Sequence, residues 1–515
     1  LNQPVKKSLL KSSAIVGIAT MLSRFLGLAR DIVFAALFGT GGAQDAFMVA
    51  FKVPNFLRRL FAEGAFNQAF IPVLSEYKQA EGDDSVQKLV AAVQIYLGGV
   101  VGLVTLLAMV GSPVVAWLFA AGYHDEPEKL ALVSDFLKLT FPYLWFISLT
   151  ALGSSVLNSY GHFTAPALAP VLLNICLIGS ALVLSPLFEV PQTGVGMGVI
   201  LAGLAQLLFI MPALYKTGVW KPFSWHRQHP GVKKIQLLML PALFGVSVSQ
   251  INLLLDTVLA TFLQDASVSW LYYSDRLMEL PLGIFGIAIA TVLLPSLSSL
   301  RGEHDTGKFT STLAWAMVLV LMLGLPAAAA LFVLPNELLT LLFQVGKFTV
   351  EDVAQSASSL MAYALGLPAF MLIKVLAPAF FARQDTKTPV KVGIQAMVWN
   401  MVFNLLLFYP LGHVGLALAT SLSAWLNAAL LAKHLKSLGQ LPSRSLLLKP
   451  IAKVVVATMV MSAVLLLVLR LPMFIMSDAI LGRMGVVASL IAMGGGSYFV
   501  ALYLLGVRVK HLRHA

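Results

Sequence analysis

The stretch "NFLRRLFAEGAFNQAF" (residues 55–70) carries Arg58, Arg59 and Glu63 in the middle of an otherwise apolar run. What surrounds it decides how it is read. Hydrophobic residues fill 58% of 515 positions and charged ones only 11%, and apolar runs long enough to cross a bilayer recur from end to end. A spanning helix needs about 20 apolar residues to cross roughly 30 Å of hydrocarbon, and its backbone polar groups must be satisfied within the segment. The chain therefore reads as an all-α polytopic membrane protein, and residues 55–70 lie inside one of its spans.

Working outward, spans fall near 9–38, 45–75, 89–120, 130–157, 164–185, 194–215, 235–263, 268–298, 310–334, 354–381, 389–409, 413–432, 449–470 and 483–506, about fourteen in all. Lysines precede the first of them, but Arg24, Arg30 and Asp31 stand where a secretory signal would be cleaved, so it is expected to be a retained helix. With a cytoplasmic N-terminus, the loops on that side hold 22 Lys and Arg; the opposite loops hold Lys129, Lys347, Arg470 and Arg483. That asymmetry places both termini in the cytoplasm. It also accounts for most of the +12 net charge without any nucleic-acid partner. Cys176, the single cysteine, allows no internal disulfide and reads as a packed thiol.

An internal repeat shows in two proline pairs. "IPVLSE" (71–76) resembles "LPSLSS" (294–299), and "FTAPALAP" (163–170) resembles "TKTPVKVG" (386–393); both give an offset of 223 residues. The expected organisation is two six-helix lobes, 1–220 and 221–440, and a C-terminal helix pair, 441–515. Six is even, so both lobes enter from the same side as parallel repeats, an arrangement that commonly places a substrate site between them near the midplane.

Nine bases fall within or at the ends of spans: Arg24, Arg30, Lys52, Arg58, Arg59, Lys138, Arg276, Lys374 and Lys453. An Arg or Lys at a helix centre costs about 2.5–3.5 kcal/mol even on the lenient insertion scale. Four or five facing lipid would cost on the order of 10 kcal/mol, comparable with a fold's net stability. They must face protein or water. Lys138 and Lys453, near span ends, read as snorkelling to the headgroups. Lys52, Arg59 and Glu63 share one helical stripe, Arg24 and Asp31 share a face of the first span, and Arg276 pairs with Glu279 at i, i+3. Such pairs can lock helices together, but the bases outnumber the acids. Guanidinium forks suit phosphate and carboxylate, so an anionic ligand with several negative groups is expected at Arg24, Arg30 and Arg276.

The segments "SRFLGLARDIVFAALFG", "DAFMVAFKVPNFLRRLFAEGAFNQAFIPVLSEYK", "SVSWLYYSDRLMELPLGIFGIAIATVLLPSLS" and "KVLAPAFFARQDTKTPVK" resemble the signature segments of the MurJ (MviN) family of bacterial lipid II flippases, in the multidrug/oligosaccharidyl-lipid/polysaccharide exporter superfamily. The resemblance runs along essentially the whole chain. It implies fourteen helices in two lobes around a cationic central cavity that opens alternately to either side. It also implies a lipid-tail groove on the last two helices, residence in the inner membrane, and lipid II and membrane lipids as partners. Ser23, Arg24, Arg30, Asp45, Arg58, Arg59, Glu63 and Arg276 stand where that family has cavity-lining or required residues. Arg24, Arg30 and Arg276 are expected at the pyrophosphate, and Arg58, Arg59 and Glu63 at the head group on the cytoplasmic side. Asp45, with Glu63, is expected to gate, Asp45 closing the periplasmic side.

Energy coupling is read separately. No GxxxxGK[ST] loop is present, which argues against an ATP pump. Ser249, Asn252 and Asp256 share one helical face, Asn400 and Asn404 another, and Thr420 lies in the twelfth span. One carboxylate among neutral oxygens suits Na⁺ or H⁺ as coupling ion; Asn and Thr also join helices without any ion. No other cofactor and no firm metal site is expected, and the histidines show no metal spacing. A catalytic role is not expected, since no nucleophile is identifiable. The alternatives are a flippase for another polyprenyl-linked oligosaccharide, or a drug or cation exporter, whose pocket would favour surplus acid.

Overall fold

The computed structural model describes residues 3–60, 66–220, 229–286, 289, 293, 296–297, 306–476 and 479–508. Every regular element among them is helical. The chain forms two compact units, Leu1–Ser269 and Trp270–Ala515.

The first unit holds α1 (Gln3–Phe38), α2 (Gly42–Leu57), α3 (Phe66–Ala80), α4 (Asp83–Val110), α5 (Ser112–Phe119), α6 (Pro127–Thr140), α7 (Pro142–Ser159), α8 (Thr164–Val183), α9 (Gln192–Lys216), α10 (Pro230–Thr261) and the first residues of α11 (Ser267–Pro281). Proline stands at the first turns of α6, α7 and α10, where its missing N–H does no harm, and Pro54, Pro72, Pro170 and Pro212 fall inside α2, α3, α8 and α9. α1 packs on α8, α8 on α9, α9 on α7, and α2 on α6. Phe66, Phe70, Leu74, Leu89, Leu157 and Ile210 are buried together in its core. The expected lobe boundary at 220 adjoins residues 221–228, outside the described ones. α10, expected in the second lobe, packs within the first unit against α2 and α3.

The second unit continues α11 through a π-helical segment, Leu282–Gly286, and adds α12 (Thr306–Val333), α13 (Pro335–Leu342), α14 (Val350–Phe381), α15 (Lys387–Ser437), α16 (Arg444–Val468) and α17 (Ile480–Leu504). Thr349 and Asp352 form a reciprocal capping box that starts α14. α14 packs against both α12 and α15. α15 is two helical arms joined at Gly412, whose φ of 57° and ψ of −135° no helix accommodates. The C-terminal pair packs within this unit on α12 and α13. Tyr498 there donates to the Met322 carbonyl at 2.6 Å, and Arg483 donates to the carbonyls of Thr340 (3.3 Å) and Gln344 (2.7 Å) at the end of α13.

Among the described residues nine helical stretches are long and apolar enough to cross a membrane, one of them the whole of α15. Two of the fourteen expected spans, 389–409 and 413–432, are the arms of α15. The expected spans 45–75 and 268–298 each run across residues outside the described ones.

Candidate functional site

α1 carries the first cations. Ser23 and Arg24 are half-buried, and Arg24 has no hydrogen-bond partner among the described residues. Arg30, six residues on, is buried, and so is Asp31. Its Nε and Nη2 donate to Asp31 Oδ1 at 3.0 and 2.7 Å, and its Nη1 donates to Asn174 Oδ1 at 3.1 Å. The Asn174 amide in turn donates to the Ser23 carbonyl at 3.0 Å. Asn174 on α8 therefore ties two points of α1 one residue short of the Arg24 turn and at Arg30. A buried guanidinium is tolerated when its charge is paired and its donors are engaged, and Arg30 meets both conditions inside the protein.

α2 carries the second group. Lys52 donates to Thr257 Oγ1 at 2.8 Å, joining α2 to α10. Arg58 Nε donates to Asn55 Oδ1 at 3.1 Å, and Arg59 Nη1 to Gln250 Oε1 on α10 at 3.4 Å. Residues 58–60 form a π-helical turn just after Pro54, whose ring removes one helix hydrogen bond. Glu63 lies outside the described residues. The expected stripe of Lys52 and Arg59 is thus brought to one neighbour, α10.

The opposite end of α2 meets the α10–α11 turn. Asp45 accepts from the Ser269 N–H at 3.0 Å and from the Ser269 hydroxyl, at the start of α11. Asp265 accepts from the Gly42 N–H at the start of α2, at 3.0 and 3.2 Å. Each carboxylate therefore sits at the N-terminus of the other segment's helix, where unpaired N–H groups and the helix dipole favour negative charge. The partners are 223 and 224 residues apart, the first equal to the offset that the proline pairs give and the second one residue more. Lys129 pairs with Asp265, lies 4.0 Å from the Tyr123 ring, and is itself buried. Burial works against the Asp265 carboxylate, but the Lys129 ammonium and the Gly42 N–H outweigh it and hold the carboxyl below the usual range. Gly122 closes the same junction: its N–H donates to Thr261 Oγ1 at 3.0 Å, and a Cβ there would stand 2.2 Å from the Thr261 carbonyl.

In the second unit Arg276 is half-buried. Its Nη1 donates to Glu279 Oε2 at 3.1 Å, as the i, i+3 spacing predicts, and its Nη2 to the Tyr272 hydroxyl at 3.2 Å, with the guanidinium 4.9 Å from the Tyr272 ring.

The residues considered for a coupling ion divide between the units. Asp256, on α10, is half-buried, and Lys52 reaches Thr257 beside it, which brings a base to this turn of α10. Asn400 and Asn404 are fully buried, with the Asn404 amide donating to Asn400 Oδ1 at 3.0 Å, and Thr420 Oγ1 donates to the Leu416 carbonyl at 3.0 Å. The side chain of Ser249 lies outside those described. Among the described residues no group of three His, Cys, Asp or Glu could hold a metal.

Sequence reading missed Asn174, Ser269, Asp265 and Lys129. Asn174 was visible as a lone polar residue inside "LLNICLIG". Lys129 was counted only as a loop charge, and no local pattern joins it to Asp265, 136 residues away.

Membrane-length helices with cations placed inside them define a transporter-type membrane protein, and similarity narrows the class. A family profile described as "Lipid II flippase MurJ" matches residues 34–482. A relative named probable lipid II flippase MurJ, from Vibrio cholerae serotype O1, is 48% identical over 99% of both chains. A solved structure of lipid II flippase MurJ in an inward closed conformation superposes with a TM-score of 0.81 at 27% identity, covering 95% of this chain and 98% of the other. A multidrug-resistance MATE transporter of the MOP superfamily, in its inward-facing conformation, shares the fold alone: TM-score 0.69 at 14% identity, over 83% and 99% of the two chains. The chain belongs to the lipid II flippase MurJ family.

Proposed function

We propose that this protein is a lipid II flippase, moving the lipid-linked peptidoglycan precursor from the cytoplasmic to the periplasmic leaflet of the inner membrane by alternating access. Membership of the family over the whole chain supports this reading. The observation that carries it is the run of cations within α1 and α2, from Arg24 to Arg59, in helices where each unpaired base is costly. Lipid II combines a pyrophosphate, peptide carboxylates and a disaccharide with a long isoprenoid tail. Its head cannot cross hydrocarbon unaided, while its tail never needs to leave it.

In this reading Arg24 and Arg276 contact the pyrophosphate. Arg30, braced by Asp31 and Asn174, sets the local field and orientation of α1. Arg58, Arg59 and Glu63 receive the head group on the cytoplasmic side, both chain termini being cytoplasmic. Asp45 and its helix-capping partners close the periplasmic side, and α16 with α17 carries the isoprenoid tail. Transport is of the secondary type, driven by membrane potential or by Na⁺ or H⁺. A flippase for another polyprenyl-linked oligosaccharide is the competing reading, because the MOP fold hosts more than one kind of cargo.

The test is binding in nanodiscs, comparing lipid II with polyprenol that lacks phosphate. Lipid II should bind, and Arg24→Ala should weaken it by about tenfold to a hundredfold, the scale of one charge-assisted hydrogen-bonded contact. Equal binding of lipid II and the phosphate-free polyprenol would exclude an anion-reading site.

A further inference from the structure

The two arms of α15 leave a groove of about 330 Å³ on their outer face, lined by Ile394, Gln395, Val398, Trp399, Leu426 and Leu430. That volume is at the small end of ligand sites, roughly 300–1,000 Å³. The groove is apolar apart from Gln395, and Trp399 remains 48% exposed within it. The arms are antiparallel about the bend at Gly412, and the Ser423 hydroxyl donating to the Ala396 carbonyl at 2.8 Å fixes their register.

That register gathers charge at one end of the groove. Lys387 and Lys391 precede Ile394, Gln395 and Val398 at three- and four-residue steps, so they share the groove's face of the first arm. Lys433 follows Leu426 and Leu430 on the second arm in the same way. At about 1.5 Å per residue, Lys387 and Lys433 reach nearly the same level beyond the groove, with Lys391 between them and its mouth. All three are exposed, and none forms an ion pair among the described residues. The acid nearest in sequence, Asp385, accepts from the Thr388 N–H (3.0 Å) and hydroxyl (2.6 Å). Those bonds hold its carboxyl below the usual range. Arg383 adds a further basic group beside it.

An apolar trough opening into three cations at a helix end matches one kind of molecule. We propose that the outer face of α15 binds an anionic phospholipid, with its phosphodiester at Lys387, Lys391 and Lys433 and one acyl chain along Ile394, Val398, Trp399, Leu426 and Leu430. Gln395, at the mouth, offers an amide to the glycerol ester oxygens. A soluble anion would leave the trough unused, and a zwitterionic lipid would bring its own cation to the lysines. The site is separate from the arginines and aspartates considered for transport and does not depend on how those are read.

Trp399 is the natural reporter. The full chain is reconstituted in phosphatidylcholine containing a small, equal fraction of acyl-dibrominated phosphatidylglycerol or acyl-dibrominated phosphatidylcholine. The Trp399 signal is the difference from Trp399→Phe, since the chain has eight tryptophans. Brominated phosphatidylglycerol should quench this signal at several-fold lower mole fraction than brominated phosphatidylcholine. The preference should fall with salt and with each lysine removed. In the triple variant Lys387→Gln, Lys391→Gln, Lys433→Gln it should vanish, while quenching by brominated phosphatidylcholine stays as in the wild type and shows the fold intact. A second readout covers weak emission from Trp399: native mass spectrometry should count one fewer phosphatidylglycerol retained by the triple variant than by the wild type. Equal quenching by the two lipids, or a preference and a lipid count that survive the triple substitution, would overturn the proposal.

Discussion

At the scale of single residues, the two α1 arginines have different surroundings although their sequence settings look alike. Arg30 has its donors engaged by Asp31 and Asn174, and Asn174 also holds the Ser23 carbonyl. Replacing Asn174 by Leu leaves a buried guanidinium donor and a backbone carbonyl without their partner, which costs on the order of 1–3 kcal/mol. A clear fall in thermal unfolding temperature in detergent is the expected result. Asn174→Asp, which keeps an acceptor for Arg30, should lose less. Asp265 supplies a second residue-level prediction, with its sign set by its lowered pKa. A carboxylate held below its ordinary value contributes stability that is complete above about pH 4 and is lost only as pH falls through the depressed value. Hydrogen exchange at the start of α2 should therefore show a Gly42 amide protected without change from pH 7 to pH 5 and exposed in Asp265→Ala, which removes the acceptor, at either pH. Loss of protection in the wild type within that range would contradict the arrangement.

At the scale of elements, most helices were legible because hydrophobic length is a strong signal and loop charge is another. The break between residues 409 and 413 was legible too, since the apolar run stops at "PLG". What was not legible is how the helices bend. The π-helical turns at 58–60 and at Leu282–Gly286 come from local hydrogen-bond rearrangement next to Pro54 and Pro281, and hydropathy does not register it. The Asp45–Ser269 and Asp265–Gly42 caps were invisible for a different reason: each joins residues more than 220 positions apart, and only the repeat offset hints at them. Two glycines test the elements directly. At Gly122 an added methyl would strike the α10 backbone, so Gly122→Ala should part the 121–123 turn from α10 and speed proteolysis there. At Gly412 there is open space, but a φ of 57° with a ψ of −135° is backbone that only glycine adopts readily, so Gly412→Ala should cost that strain alone, about 1–3 kcal/mol. If the two substitutions destabilised equally, close approach would not be what fixes Gly122.

At the scale of the whole molecule, family membership, helical architecture and cations inside spans agree on a transporter of lipid-linked anions. The architecture was readable from composition and an anionic ligand from the cations within spans, while the cargo itself came only through the resemblance those charged motifs bear to the flippase family. The coupling ion was not, because Asn, Thr and a lone carboxylate serve helix packing and ion binding alike. The measurement that bears most directly on the central claim is lipid II translocation in proteoliposomes under a defined membrane potential, for the wild type, Arg24→Ala and Arg276→Ala. Translocation by the wild type that either substitution reduces by tenfold or more, in protein that stays folded, is the predicted result. A folded wild type that leaves lipid II where it was added but moves another polyprenyl-linked glycan would contradict it.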